Sequence, residues 1–240
     1  MSTVLFGSLK KQSYTMKESL RALRTNLQFC GDDLKVIMIT SAVPNEGKST
    51  VSIELARSLV ELGKKVLVVD TDMRKSVLIG RMRVTTSEGK EVYGISHYLS
   101  GQKKLDEVLY DTGVENLSII FAGPSVPNPT ELLEKKYFAD MMQYAEDNFD
   151  YILVDCAPIG ATIDAAVLAK YCNGVIMVVA QGMASNKEIL HAKNQLEMAG
   201  VKILGVVLNK VKVKKNGYYG KYYGKYYGKY YGSYGTYGTE

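Results

Sequence analysis

The sequence has no long hydrophobic run, three cysteines and two histidines, and each shortage removes a class of protein. Its unbroken apolar stretches are short, such as Val-Ile-Met-Val-Val-Ala at 175–180. A helix that crosses a membrane needs ~18 or more such residues, so no span is expected. The opening stretch MSTVLFGSLKKQSYTMKESL holds neither a long apolar region nor a cleavage pattern, which argues against secretion. Cys30, Cys156 and Cys172 stand far apart and form no C-x-x-C pair. They imply no disulfide framework and read as reduced core thiols in a cytosolic protein. His97 and His191 are isolated, and neither is assigned a role.

A second shortage is local. Residues 217–240, GYYGKYYGKYYGKYYGSYGTYGTE, contain no Leu, Ile or Val, so they have nothing with which to build a core. Yet they hold ten of the eighteen tyrosines. A Gly every fourth residue costs a helix about 1 kcal/mol each, and a period of four does not suit a strand. The segment is expected to be a disordered, solvated tail, whose phenols are then used chemically or as contact points. Charge follows the same division. Residues 210–240 carry seven Lys and one Glu, or +6; the whole chain is +5, so the rest sums to −1.

What is present before the tail is alternation. Continuous Val/Ile runs at 36–41, 65–70, 117–123, 151–155, 174–180 and 202–209 read as buried strands. Helical stretches fall near 14–29, 49–62, 130–147, 163–171 and 186–199. Leu20, Leu23, Leu27 and Phe29 are spaced for one face of the first. The region 73–115 is less regular and is expected to hold two short helices. Apolar strands separated by helices indicate a mostly parallel sheet covered on both faces, hence a doubly wound α/β fold. A division follows into an N-terminal helical segment at 1–30, an α/β domain at 31–210 and the tail at 211–240.

Ala42-Val43-Pro44-Asn45-Glu46-Gly47-Lys48-Ser49-Thr50 lies between a predicted strand and a predicted helix. The spacing is that of a P-loop, G-x-x-x-x-G-K-[ST], with Ala42 in place of the first Gly. Backbone N–H groups of such a loop wrap a phosphate, aided by the helix N-terminus. Gly47 lets the backbone approach, Lys48 reaches the phosphate oxygens, and Ser49 offers a hydroxyl to Mg2+. Three carboxylates stand at the ends of two predicted strands. Asp155 closes YILVD, where a second acidic motif would hold Mg2+. Asp70 and Asp72 close VLVVDTD two residues apart, a spacing that puts both on one side of an extended segment. Three carboxylates exceed what the metal requires, so one could take a proton from an incoming hydroxyl.

The modified P-loop, VLVVDTDMR, YILVDCAP, PNPTELL at 127–133, GISHYLSG at 94–101 and the terminal tyrosine cluster occur together. In that combination the chain resembles the bacterial tyrosine kinases of the capsular-polysaccharide type, in their separate cytoplasmic form from Gram-positive systems. The resemblance implies a P-loop NTPase fold, ATP and Mg2+ as cofactors, and autophosphorylation of the tail. The acceptors would be Tyr218, Tyr219, Tyr222, Tyr223, Tyr226, Tyr227, Tyr230, Tyr231, Tyr234 and Tyr237. It implies Asp70 as base toward the phenol, the other reading being that Asp70 only orients water and metal. Ser49, Asp72 and Asp155 would serve Mg2+. Asn209 would contact adenine, or else merely end its strand. Glu18, Arg21 and Arg24 match the family's E-x-x-R-x-x-R motif, which joins subunits into a ring. The implied partners are a transmembrane activator, further copies of the chain and a phosphotyrosine phosphatase, with no specific nucleic acid. The implied location is the inner face of the membrane, reached through the activator, and activity without that activator is expected to be weak. Two departures stand out: Ser76 where the family commonly has Pro, and Cys156-Ala157 where Thr-Pro is expected.

Two other functions fit parts of the sequence. Partitioning ATPases of the same fold carry a Lys five residues before the invariant one, a position held here by Val43. A basic, aromatic tail could also grip nucleic acid or an anionic membrane.

Overall fold

The computed structural model describes residues 2–8, 12–31, 33–160 and 162–212. The ten tail tyrosines expected to accept phosphate lie outside the described residues. Met1–Asn209 make one compact unit. Its chain runs β1 (Ser2–Phe6), α1 (Tyr14–Gln28), β2 (Val36–Ser41), α2 (Lys48–Val60), β3 (Val66–Asp70), α3 (Leu78–Met82) and β4 (Val84–Thr86). It continues through α4 (Ile95–Leu99), α5 (Leu105–Val108), β5 (Leu109–Asp111), β6 (Leu117–Ile120), α6 (Pro129–Leu133), α7 (Lys136–Asn148) and β7 (Tyr151–Asp155). It ends with α8 (Asp164–Ala169), β8 (Gly174–Ala180), α9 (Asn186–Met198) and β9 (Ile203–Asn209).

The strands form one sheet in the order β4-β1-β5-β6-β3-β7-β2-β8-β9. From β6 to β9 every pairing is parallel. The antiparallel pairs, β1 with β4 and β5 with β6, sit toward one edge. The doubly wound, mostly parallel sheet is thus the fold that the apolar runs predict. Side chains alternate between its faces. Val36 and Met38 join one core, with Phe138, Met141, Leu168 and Leu196 from the helices on that side. Ile37 and Ile39 join the other, with Leu27 of α1 and Ile53, Leu55 and Leu59 of α2. Strands buried on both faces must be apolar at every position, which is why these runs show no alternation; the run at 202–209 is the exception, since β9 lies at the sheet edge and Val206 and Leu208 are more than half exposed.

This winding positions a crevice. β2 lies between β7 and β8. The chain leaves β2 through α2 on one face toward β3, and reaches β8 from β7 through α8 on the other. Where consecutive connections part to opposite faces, the carboxyl ends of the strands open to a ligand.

Several local expectations need correction. Residues 73–115 hold three short helices and two short strands, not two helices. Elements of three to five residues are too brief to print a period on the sequence. The helix expected near 130–147 is two, α6 and α7, because Lys135 takes an extended conformation between them. β1 escaped notice, being five residues with one fully buried side chain, Val4. Phe29 does not share a face with Leu20, Leu23 and Leu27. It caps the end of α1 and is 83% exposed, since two residues on from Leu27 the helix has turned through about 200°. Of the three free cysteines, Cys156 is buried while Cys30 and Cys172 are partly exposed.

Candidate active site

The loop between β2 and α2 is held from several sides. Gly47 adopts a left-handed backbone (φ 94°) at the cap of α2, a conformation most side chains resist. Asn45 also has positive φ, which Asn tolerates better than most. Behind the loop, a Cβ on Gly160 would lie 2.6 Å from the Ala42 carbonyl oxygen, so only Gly permits that approach. The Glu46 side chain is fully buried. One carboxylate oxygen accepts from the Val43 N–H and the other from the Ala180 N–H, both at 2.9 Å. Two backbone donors offset the cost of burying the carboxylate. The Asn209 amide donates to the Glu46 carbonyl at 2.9 Å. Glu46 and Asn209 therefore tie the loop to the ends of β8 and β9. Pro44 and Asn45 are exposed at its tip, and Thr50 follows on α2.

Lys48 begins α2 and reaches back across the sheet ends. Its Nζ lies 3.2 Å from Asp72 and 3.9 Å from Asp155. Burial works against its charge, but the attraction of Asp155, Asp72 and Asp70 outweighs that and holds its pKa above the usual lysine value. Asp70 and Asp155 are register partners on adjacent parallel strands. Each is 1% exposed, and burial leads in pushing both carboxyls up. Repulsion from Asp155 adds to the effect at Asp70, which reaches about 7. Neither Asp155 oxygen has a hydrogen bond of normal length, although Lys48 and the Ser49 and Ser52 hydroxyls favour its ionised form. Asp72 stands just past β3. Its backbone N–H donates to Asp70 at 3.1 Å, and its carboxylate accepts from the Lys75 N–H at 3.1 Å.

A buried carboxylate whose oxygens take no close hydrogen bond, near a second carboxylate and a hydroxyl, offers the hard oxygen donors that Mg2+ takes. Among the described residues no group of three or more His, Cys, Asp or Glu side chains could hold a metal ion unaided. Mg2+ commonly uses one or two carboxylates together with substrate phosphates. The donor set of Ser49, Asp72 and Asp155 fits the ion.

Sequence reading missed a second cluster beside the first. The Arg74 guanidinium forms a two-pronged pair with Asp164, at 2.7 and 3.0 Å. Thr130 donates to the same carboxylate at 2.6 Å. Burial alone would raise the Asp164 pKa, but these bonds pull it below the usual carboxylate value. The cluster joins the loop after β3 to α6 and α8. Arg74 and Thr130 do stand inside the quoted stretches VLVVDTDMR and PNPTELL, so proximity to those stretches was the one available signal. Ser76, noted only as a departure, donates to Asp70 at 2.5 Å.

The α1 residues divide. Glu18 and Arg21 pair at 2.7 Å on an accessible surface. Arg24 is turned onto its own chain, where it donates to the Ser58 carbonyl of α2 and lies 3.5 Å from Glu61.

An anion loop opening a helix at the switch point of a parallel sheet, with a lysine among strand-end carboxylates, defines a P-loop nucleotide-binding protein. The AAA-domain family matches residues 34–212. The tyrosine-protein kinase CpsD of Streptococcus pneumoniae is 43% identical over 215 residues, 88% of this chain and 93% of that one. Among solved structures, the chimerical protein CapA2B2 superposes with a TM-score of 0.76 at 29% identity, over 84% of this chain and 92% of that one. The kinase domain of the Escherichia coli tyrosine kinase ETK gives 0.73 at 32%, over 84% and 80%. The septum site-determining protein MinD of Pyrococcus horikoshii, complexed with Mg-ADP, gives 0.59 at 26%, over 72% and 69%. The chain belongs to the bacterial tyrosine kinases of the capsule type. No helix among the described residues is long and apolar enough to cross a membrane.

Proposed function

We propose that this chain transfers the γ-phosphoryl group of ATP to tyrosines of its own C-terminal tail, in the service of capsular or exopolysaccharide assembly and export. The observation that carries the reading is the placement of the Lys48 ammonium 3.2 Å from Asp72 and 3.9 Å from Asp155, with Asp70 in register beside Asp155. Ser49, Asp72 and Asp155 would hold Mg2+, which supplies charge neutralisation at the phosphates when bound. The backbone of Ala42–Thr50 binds the phosphates, and Lys48 stabilises the charge that gathers on the transferred group. Asp70 is the base. A phenol oxygen attacks the γ-phosphorus as the bond to the bridging oxygen breaks. The phenolic proton passes to Asp70, and ADP leaves. Burial, with repulsion from Asp155, raises the Asp70 carboxyl above the usual carboxylate range, the direction that makes it a better proton acceptor. Asn209, at the end of β9 and bonded to the Glu46 carbonyl, would line the adenine side of the nucleotide.

The tail, 211–240, is the substrate by virtue of its ten tyrosines without a core to join. Each phosphate adds about −1.5 to −2 charge, so a few would turn the tail from basic to acidic. Glu18 and Arg21 present an accessible surface on α1 for a neighbouring copy, and a head-to-tail contact that closes makes a ring. Such a ring brings one tail to another copy's site, and mutual repulsion between phosphorylated tails loosens it. A transmembrane partner would activate the chain at the inner face of the membrane, and a phosphotyrosine phosphatase would reverse the modification.

The test is incubation of the full chain with labelled ATP and Mg2+, with and without Lys48→Met, followed by mapping of labelled residues. Label on tyrosines between 218 and 237, lost in the variant, supports the reading. Label elsewhere, or label that survives the change, contradicts it.

A further inference from the structure

We propose that the Ser76 hydroxyl is a positioning residue for Asp70; this rests on the reading of Asp70 as the base. Asp70 is buried at the end of β3, and its carboxylate is fixed by two hydrogen bonds of different origin. One oxygen accepts from the Asp72 backbone N–H at 3.1 Å. The other accepts from the Ser76 hydroxyl at 2.5 Å. The first bond comes from the chain's own turn, and any residue but proline at position 72 could supply it. The second depends on the side chain at 76.

The direction of the Ser76 bond is set by its surroundings. A hydroxyl has one proton to donate and two lone pairs. The Ser76 oxygen accepts from the Leu78 N–H at 3.4 Å, at the start of α3, which leaves its proton for Asp70. Bonds of this type, hydroxyl to carboxylate, are short and strong for their class. The turn that delivers Ser76 is itself braced, since Asp72 accepts from the Lys75 N–H. Asp70 to Ser76 is therefore a closed turn in which each carboxylate is held by a later residue. With both oxygens pinned, the Asp70 plane cannot rotate about its last torsion, a motion that is broad for a free carboxylate. A carboxylate oxygen has two acceptor sites, so Ser76 leaves one for the attacking phenol.

Serine and proline are not interchangeable at this position. A proline has no hydroxyl and no N–H to offer, so it can stiffen the turn but cannot hold the carboxylate. Ser76 supplies by hydrogen bonding an orientation that proline can influence only through the backbone.

The experiment uses the full chain, comparing Ser76→Ala, Ser76→Thr and Ser76→Pro alone and Ser76→Ala combined with Asp70→Asn. The rate of phosphotyrosine formation is measured against ATP concentration, and the Ser76→Ala crystal structure is determined. Ser76→Ala and Ser76→Pro are expected to lower kcat about tenfold while leaving KM for ATP within about twofold. Ser76→Thr, which keeps the hydroxyl, restores most of the rate. In the Asp70→Asn background, Ser76→Ala costs nothing further, and the Ser76→Ala crystal shows Asp70 rotated. An unchanged kcat, a loss that Thr fails to restore, an unmoved Asp70 or an equal loss in the Asp70→Asn background each overturns the proposal. The underlying reading fails separately: Asp70→Asn that keeps the wild-type rate removes Asp70 as base whatever Ser76 does. ADP binding by each variant confirms that it is folded.

Discussion

Asp70 and Asp155 face each other as register partners at the carboxyl ends of β3 and β7, both buried. Two like charges in register on neighbouring strands repel, and the sheet tolerates them because Lys48 leans across from α2. Clusters of buried, perturbed charges of this kind concentrate at functional sites.

Lys48→Met tests that balance without any substrate. The variant leaves Asp70, Asp72 and Asp155 without their cation. Breaking a buried pair costs on the order of 3 kcal/mol where the surviving charge cannot adjust. Here the carboxyls can take up protons, so a smaller loss is expected, with Tm lowered by several degrees and the loss growing as pH rises. Thermal melts at pH 5 and pH 8 check this. A variant melting at the wild-type temperature at both values contradicts it.

Glu46→Gln replaces one of the two acceptor oxygens by an amide that cannot accept. Either the Val43 or the Ala180 N–H then faces another donor. Leaving a buried group unpaired costs about 1–3 kcal/mol, and it loosens the loop that binds phosphate. ADP affinity measured by calorimetry should fall at least about fivefold. Unchanged affinity would mean that the loop holds its shape without this strap.

The Arg74–Asp164 pair predicts a specific acid limb. The folded pKa of Asp164 lies below the unfolded one. Its contribution to stability is then complete above the unfolded carboxylate value, about 3.9, and is lost as pH falls through the depressed folded value. Asp164→Asn should therefore be less stable than wild type at neutral pH, with the gap closing below about pH 4. Chemical denaturation at pH 3, 4, 5 and 7 measures it. A gap that stays constant across that range argues against the pair.

Arg24 and Arg21 separate fold from assembly. Arg24→Ala removes a contact between α1 and the end of α2 and should cost about 1 kcal/mol, or a few degrees in Tm. Arg21 lies on the accessible surface, where an ion pair contributes little, so Arg21→Ala should melt like wild type. If the motif joins copies, native mass spectrometry will show smaller assemblies for Arg21→Ala despite its normal stability. Full-sized assemblies would assign the motif to the fold alone.

Sequence revealed most of the parallel sheet because strands buried on both faces have one solution, a solid apolar run. It revealed Lys48, Asp70, Asp72 and Asp155 because each ends or follows such a run, and strand ends converge in this fold. It missed β1 and the short elements between 73 and 115, which are shorter than the periods that announce helices and strands. It also missed what side chains do to one another across distant segments. Nothing in the order of residues says that Glu46 accepts from Ala180, that Arg74 reaches Asp164, or that Arg24 turns inward to Ser58. Those contacts depend on the packing of α2, α6 and α8 against the sheet, and only tertiary structure displays them. Ser76 is the intermediate case: it stands out in the sequence as differing from the Pro that the resemblance implies there, but nothing in the sequence shows the carboxylate it holds.

The most direct test of the central claim is diffraction from crystals of the full chain grown with Mg2+ and a non-hydrolysable ATP analogue. The account predicts the triphosphate on the backbone of residues 42–50 with Lys48 at its terminal phosphates. It predicts the ion within reach of Ser49, Asp72 and Asp155, and an Asp70 oxygen open toward the terminal phosphorus. A nucleotide bound away from this loop, or an Asp70 closed off from the terminal phosphate by the bound ion, would contradict it.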